Sequence, residues 1–369
     1  MNMRNRTRGL LAATAALLAS GCAVFPSGGL FDSSTPVGGP CQTLALPGGP
    51  EDLALDPGGG LYVSVSDWRR RADDPPPARG RIFRLEIDPA TDAARLTDVT
   101  PAGPDDFQPH GIDLWTGPDG SQRLFVVNHP QLGASRVEIY AVTAQGLVDT
   151  GEGGRWDLLH RPNDVAAFGP RSFFATNDHA IPRTRWFDPS LRETLSDVTG
   201  ERNGYVVRVA DGSPTVVAER LSLPNGVALS PDGARLYVAE STRGRIRVFE
   251  GLSGARLRET ARLKPGPGPD NIVVDPQGDL WIGGHNNGLD FLRHATDPRH
   301  PSPGRVERVS PDGRRTLAYQ SGRKPAASSA PRLWSVSVGA PDGQGGLVVG
   351  AIFPRELQRC AIQPASARR

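Results

Sequence analysis

With 369 residues, of which 37% are hydrophobic and 22% charged, the chain can bury one large core or two ordinary ones. Its formal charge of +2, carried by Arg with Lys only at Lys264 and Lys324, gives no electrostatic case for nucleic acid. The 44 Gly and 35 Pro make turns dense and argue against long helices, so an all-β chain is expected.

The chain opens on Arg4, Arg6 and Arg8, followed by an apolar run over 9–19 that is too short for an ordinary spanning helix and has the form of an export signal. The run ends in Ala19-Ser20-Gly21-Cys22, small residues before a cysteine, which is similar to a bacterial lipobox. Acylation of Cys22 would make it the new N-terminus, and ordinary signal cleavage nearby is the alternative. Residues 1–22 are therefore read as a lipoprotein-type signal that takes the protein to the bacterial cell envelope and holds it to a membrane by lipid. Residues 23–40, rich in Gly, Ser and Pro, read as a flexible linker. The folded domain is expected over 41–363, with a disordered tail at 364–369.

Cys41 precedes the first of six repeats and Cys360 follows the last. In an oxidising compartment two such cysteines should pair, and in a ring the bridge would lock the closure. The repeats share one pattern: an apolar run, a Pro/Asp/Gly turn, and a second apolar run ending in a small or polar residue. They are EDLALDPGGGLYVSVSD from 51, HGIDLWTGPDGSQRLFVVNH from 110, NDVAAFGPRSFFATNDH from 163, NGVALSPDGARLYVAES from 225, DNIVVDPQGDLWIGGHNNG from 270 and SVSVGAPDGQGGLVVGAI from 335. Between them lie further strand-like runs at 81–87, 135–142, 205–209, 245–249 and 305–309. About four strands per repeat predicts a six-bladed β-propeller with the repeat hairpins supplying the inner strands. One insertion reads as a short helix: Asp188-Pro189 caps it, Phe187, Leu191, Leu195 and Val198 form a stripe, and Gly200 stops it. It would either cover the channel mouth or pack on its own blade.

The inner strands begin on polar residues in nearly every repeat: Glu51-Asp52, His110, Asn163-Asp164, Asn225 and Asp270-Asn271. In a propeller these starts converge on the central channel, where several carboxylates would repel one another. A hard cation removes that conflict, and carboxylates with amide oxygens are ligands suited to Ca²⁺. Glu51, Asn163, Asn225, Asp270 and Asn271 supply five oxygen-bearing side chains for one ion; Asp52 and Asp164 could hold a second, deeper one. The alternative is that these are turn and strand-start residues only. His110 opens its inner strand and His129 closes the next, so a hairpin brings both imidazoles to one side, beside the expected metal. Asp178 and His179 in TNDH, His285 in GGHNNG, and Trp68 in the loop after the first hairpin are secondary candidates for lining the mouth. No nucleophile elbow, phosphate loop or zinc spacing is present, so a covalent serine mechanism has no support.

The segments QPHGIDL, LFVVNHP, RPNDVAAFGP, TNDH, NGVALSPDGARLYVAE, DNIVVDP and GDLWIGGHNNG resemble successive signatures of the paraoxonase and arylesterase family. That resemblance implies a propeller with two calcium ions in its channel and hydrolysis of small-molecule lactones and aryl esters. It implies Glu51, Asn163, Asn225, Asp270 and Asn271 as ligands of the catalytic ion. Asp52, Asp164 and the backbone carbonyl of Ile112 would serve the structural ion, His110 and His129 would form the catalytic dyad, and Cys41–Cys360 the disulfide. Two departures stand out: the lipobox, and the loop Ser66-Asp67-Trp68-Arg69-Arg70-Arg71, which does not resemble the family's apolar pocket wall. The expected activity is calcium-dependent hydrolysis by a metal-polarised carbonyl and a His-activated water. The alternatives are a sugar lactonase of gluconolactonase type and a non-catalytic, calcium-stabilised propeller that binds a ligand or partner.

Overall fold

A computed structural model describes residues 35–69, 78–103, 105–130, 133–180, 196 and 199–362. The leader, Cys22, most of the linker and the 364–369 tail lie outside the described residues. Each repeat folds as its alternation dictates, into an antiparallel hairpin with one face buried. In the fourth, Val227 sits opposite Val238 and Leu229 opposite Leu236. A third and a fourth strand extend each hairpin outward, giving six four-stranded sheets. Five are consecutive in sequence, over 49–98, 109–149, 162–221, 224–263 and 269–320. The sixth joins Val336–Pro341, Gly346–Ala351 and Glu356–Ala361 to Cys41–Ala45 from the start of the chain. The result is the expected six-bladed β-propeller. Outermost strands such as Ala94–Asp98 and Arg258–Leu263 escape a reading by pattern because they are polar and largely exposed, with no buried face to impose alternation.

The ring is held by apolar cores between consecutive sheets. Phe125 and Val127 of blade two pack with Phe173 and Ala175 of blade three, and Ala166 and Phe174 of blade three with Val227 and Val238 of blade four. Blades one, five and six share a core that includes Val63, Val273, Val338 and Leu357. Closure is covalent as well: Cys41 lies opposite Cys360 in the ladder, and the two form a disulfide across 319 residues of sequence. For so long a loop, chain-entropy reasoning gives a stabilisation of about 5 kcal/mol as an upper figure.

The insertion expected to be helical lies outside the described residues apart from Phe187's distant neighbours Ser196 and Thr199, both helical, and Gly200, which follows at φ 63°. A second short helix, Gly288–Thr296, follows the fifth hairpin and was not expected from the sequence. Asn287 caps it, its Oδ1 accepting from Leu289 N at 2.8 Å and Asp290 N at 3.2 Å. Nine residues carry too few turns for a periodic stripe to declare itself, although the cap is legible.

Candidate active site in the propeller channel

The polar starts of the inner strands coincide with breaks in the strand ladder. Register shifts fall between Pro50 and Asp52, Pro109 and Ile112, Pro162 and Val165, Pro224 and Val227, Pro269 and Ile272, and Val336 and Val338. In four blades a proline opens the strand, and in the first blade Pro50 is its second residue, positions where a missing N–H disturbs the ladder least. The bulge then takes Glu51, His110, Asn163-Asp164, Asn225 and Asp270-Asn271 out of strict alternation and re-aims them toward the axis. Neighbouring inner strands nearly touch there. A Cβ on Gly111 would lie 2.5 Å from Asp164 Cα, and one on Gly226 would lie 2.5 Å from the Asp270 carbonyl oxygen.

Four oxygens among these residues, Glu51 Oε2, Asn163 Oδ1, Asn225 Oδ1 and Asn271 Oδ1, are buried with no hydrogen-bond donor among the described residues. They come from blades one, three, four and five. Glu51 ties the group together. Its Oε1 accepts from Asn271 Nδ2 at 2.8 Å, its backbone oxygen accepts from Ser337 Oγ at 2.6 Å, and its Oε2 lies 3.7 Å from His110 Nδ1. Burial, and then the charge of Asp270, push the Glu51 carboxyl well above the usual carboxylate range, against the Asn271 hydrogen bond. Orphaned buried acceptors are costly unless something electropositive completes them. Among the described residues no three His, Cys, Asp or Glu side chains form a metal-ligating group, because the convergent donors here are mainly amides. Neutral oxygens with two carboxylates fit a hard divalent cation and not a thiophilic one.

Asp52 and Asp164 stitch blades together. Asp52 Oδ2 accepts from Ile112 N at 2.8 Å, while Asp164 accepts from Val165 N and Val227 N, both at 2.7 Å. Both carboxyls are held well above their usual range, by burial first and then by neighbouring carboxylates: Glu51 acting on Asp52, and Asp52 acting on Asp164. Asp113, which sequence reasoning missed, does the same work one strand on, accepting from Ala167 N at 2.7 Å, with burial pushing its carboxyl up to about 6.

The His110 and His129 rings lie 5.1 Å apart, and Trp68 packs edge-on at 4.9 Å from His110 and 6.2 Å from His129. His110 Nδ1 is 2.8 Å from the Asn163 carbonyl and His129 Nδ1 is 2.8 Å from Ser135 Oγ. Since a carbonyl only accepts, His110 Nδ1 carries the proton and Nε2 keeps its lone pair. Burial holds the His110 imidazole below its ordinary range despite that hydrogen bond and the charges of Asp270 and Asp178. Of the secondary candidates, His285 reaches the site, its Nε2 lying 3.0 Å from Asp270 Oδ2. Asp178 instead pairs with Arg161 at 2.9 Å, and the backbone oxygen of the buried His179 accepts from Asn177 Nδ2 at 2.6 Å. The helix missed in the sequence supplies Phe291, which stacks on His285 at 4.1 Å.

Fold and channel together define a six-bladed propeller with a buried, oxygen-rich site at its axis. The arylesterase family profile matches residues 71–316. Serum paraoxonase/arylesterase 1 of Homo sapiens is 32% identical over 267 residues, 71% of this chain and 72% of that protein. Serum paraoxonase/arylesterase 1 of Mus musculus is 31% identical over 337 residues, 89% of this chain and 90% of that protein. Among solved structures, a luciferin-regenerating enzyme overlays with TM-score 0.50 at 15% identity, covering 89% of this chain and 95% of that one, a likeness of fold alone. The chain belongs to the paraoxonase/arylesterase family.

Proposed function

We propose that this protein is a calcium-dependent hydrolase of carboxylic esters and lactones. The observation that carries the reading is the set of four orphaned buried oxygens from four blades, gathered beside a histidine pair. Glu51, Asn163, Asn225, Asp270 and Asn271 would hold the ion that serves the reaction. Asp52, Asp164 and the Ile112 carbonyl would hold a second, structural one. When bound, the upper cation supplies a positive charge for the carbonyl oxygen of the ester, where negative charge develops. His110 provides the proton acceptor. As a water oxygen bonds to the carbonyl carbon, its proton passes to His110 Nε2, and the imidazolium then gives that proton to the departing alkoxide as the acyl–oxygen bond breaks. Asn163 orients the ring through its carbonyl, and His129 and Trp68 wall its other side, keeping bulk water away.

Replacing His110 tests this assignment. Aryl-ester turnover by His110→Gln is expected to fall by a factor on the order of 10² or more, the range for loss of a general base, with the melting temperature near that of the parent. His129→Gln should cost less, since it touches His110 and not the water. Turnover near the parent value in His110→Gln would move the base to an acidic residue of the channel.

The location proposal rests on the charged, apolar and small-residue order of the leader and on Cys22. Expressed in a bacterium, the protein should fractionate with membranes and be released by Cys22→Ala, because acylation supplies the anchor. Recovery of the unaltered protein wholly in the soluble fraction would end that proposal.

A further inference from the structure

The loop after the first hairpin places two consecutive side chains, Trp68 and Arg69, in different surroundings. Trp68 packs against the histidine pair, and Arg69 lies over Phe353, its guanidinium carbon 4.6 Å from the ring centroid. Arg69, His294, Trp334, Phe353 and the Arg332–Glu356 pair line a cavity of about 270 Å³. A continuous path of rings joins the two. Phe353 is 5.6 Å from Phe291, Phe291 is 4.1 Å from His285, and His285 is 3.0 Å from Asp270.

Arg69 is half-buried, and among the described residues no carboxylate is bound to it. The nearest candidates are engaged elsewhere, Asp67 by Arg355 at 2.7 Å and Asp297 by Arg299 at 2.9 Å. The guanidinium donates to the His294 carbonyl oxygen and to His294 Nε2 at 2.8 Å, which uses two of its five N–H groups. The other three have no protein acceptor among the described residues. His294 cannot neutralise it: its Nδ1 donates to the His300 carbonyl at 2.7 Å, so its Nε2 accepts as a neutral imidazole. The ionised side chains lining the cavity are thus Arg69, Arg332 and Glu356, an excess of one positive charge among aromatic walls. A half-buried guanidinium with spare donors in a fixed fork is a receptor for a carboxylate.

We propose that this cavity is an anion subsite, with Arg69 the residue that sets substrate specificity, and that the substrates are esters or lactones bearing a carboxylate remote from the scissile carbonyl. The inference rests on the hydrolase reading above. It assigns the acyl or alcohol chain to the ring path from Asp270 to Phe353 and the terminal carboxylate to the free face of Arg69.

The test uses the full chain with para-nitrophenyl monoesters of linear dicarboxylic acids of increasing length, each paired with the methyl-terminated ester of equal length. The parent protein should favour the carboxylate-terminated member in kcat/KM once the chain is long enough to reach Arg69, through a lower KM, and added salt should shrink the preference. Arg69→Gln should lower that ratio by about tenfold or more, and Arg69→Lys should recover part of it without the fork geometry. An unchanged ratio in Arg69→Gln, or preference for the methyl-terminated ester at every length, would overturn the proposal. Calorimetric titration with a free linear dicarboxylate separates failure of the subsite from failure of the hydrolase reading. Binding to the parent and not to Arg69→Gln supports the subsite even if no ester is turned over, while equal or absent binding in both rejects it.

Discussion

Asn225→Ala is expected to reduce ester turnover by a factor on the order of 10² while leaving the fold in place. The amide oxygen it removes has no hydrogen-bond donor, whereas the Asn225 backbone is held independently, its carbonyl accepting from Thr176 Oγ1 at 2.6 Å. The substitution therefore takes away the proposed ligand atom and nothing that shapes the strand. This gives a sign that a structural role would not produce. In chelator, where the orphaned oxygen is a liability, the Ala variant should melt at the parent's temperature or above it, because deleting an unsatisfied buried acceptor is neutral or stabilising. In calcium the order should reverse. Equal destabilisation of Asn225→Ala in both conditions would mean that the amide has a structural partner.

The largest effect on stability is expected from Asp164→Ala. That carboxylate accepts from Val165 N in its own blade and from Val227 N in the next, and it is 3% exposed. Its loss leaves two buried N–H groups without an acceptor, at a cost of about 3 kcal/mol or more, and lowers the melting temperature by on the order of 5–10 °C. Asp164→Asn isolates the charge, since an amide oxygen can keep one of the two bonds. Because Asp52 and Asp164 repel each other in the channel, relief of that repulsion offsets part of the lost hydrogen bond, and Asp164→Asn should lose less stability in chelator than in calcium. Thermal melts of both variants in the two conditions check this. If Asp164→Asn falls equally far in both, the pair holds no cation.

Much of this was legible in the sequence because a propeller repeats its reasons. Val227, Leu229, Leu236 and Val238 alternate around Pro231-Asp232-Gly233, and five other segments do the same, so the inner hairpins declare themselves. The outer strands do not: Arg258–Leu263 is mostly exposed, and solvent asks no pattern of it. The site was legible as composition at one register, Glu51, His110, Asn163, Asn225 and Asp270. What the sequence could not show was how those residues leave the strand ladder, since a bulge is a relation between two strands. The proline at the first or second position of five of the six inner strands was the available signal. Asp113, Ser337 and Thr176 were missed for a related reason: they act on backbone atoms of other blades, and only closing the ring brings those atoms near. Phe291 was missed with its helix, which has one clear cap and too few turns to announce a face.

The proposed calcium dependence joins the channel oxygens to the chemistry, and one titration addresses both. The full chain, stripped with EDTA, is to be followed by thermal melting and by aryl-ester turnover as free calcium is restored. A cation bound only by the folded state raises stability by RT ln(1 + [L]/Kd), about 2.7 kcal/mol at a hundredfold excess over Kd. The melting temperature should therefore climb and level off as the channel fills, with turnover appearing over the same range. A protein that melts at one temperature and hydrolyses the ester at one rate, with EDTA or with saturating calcium, would show that Glu51, Asn163, Asn225, Asp270 and Asn271 hold no ion.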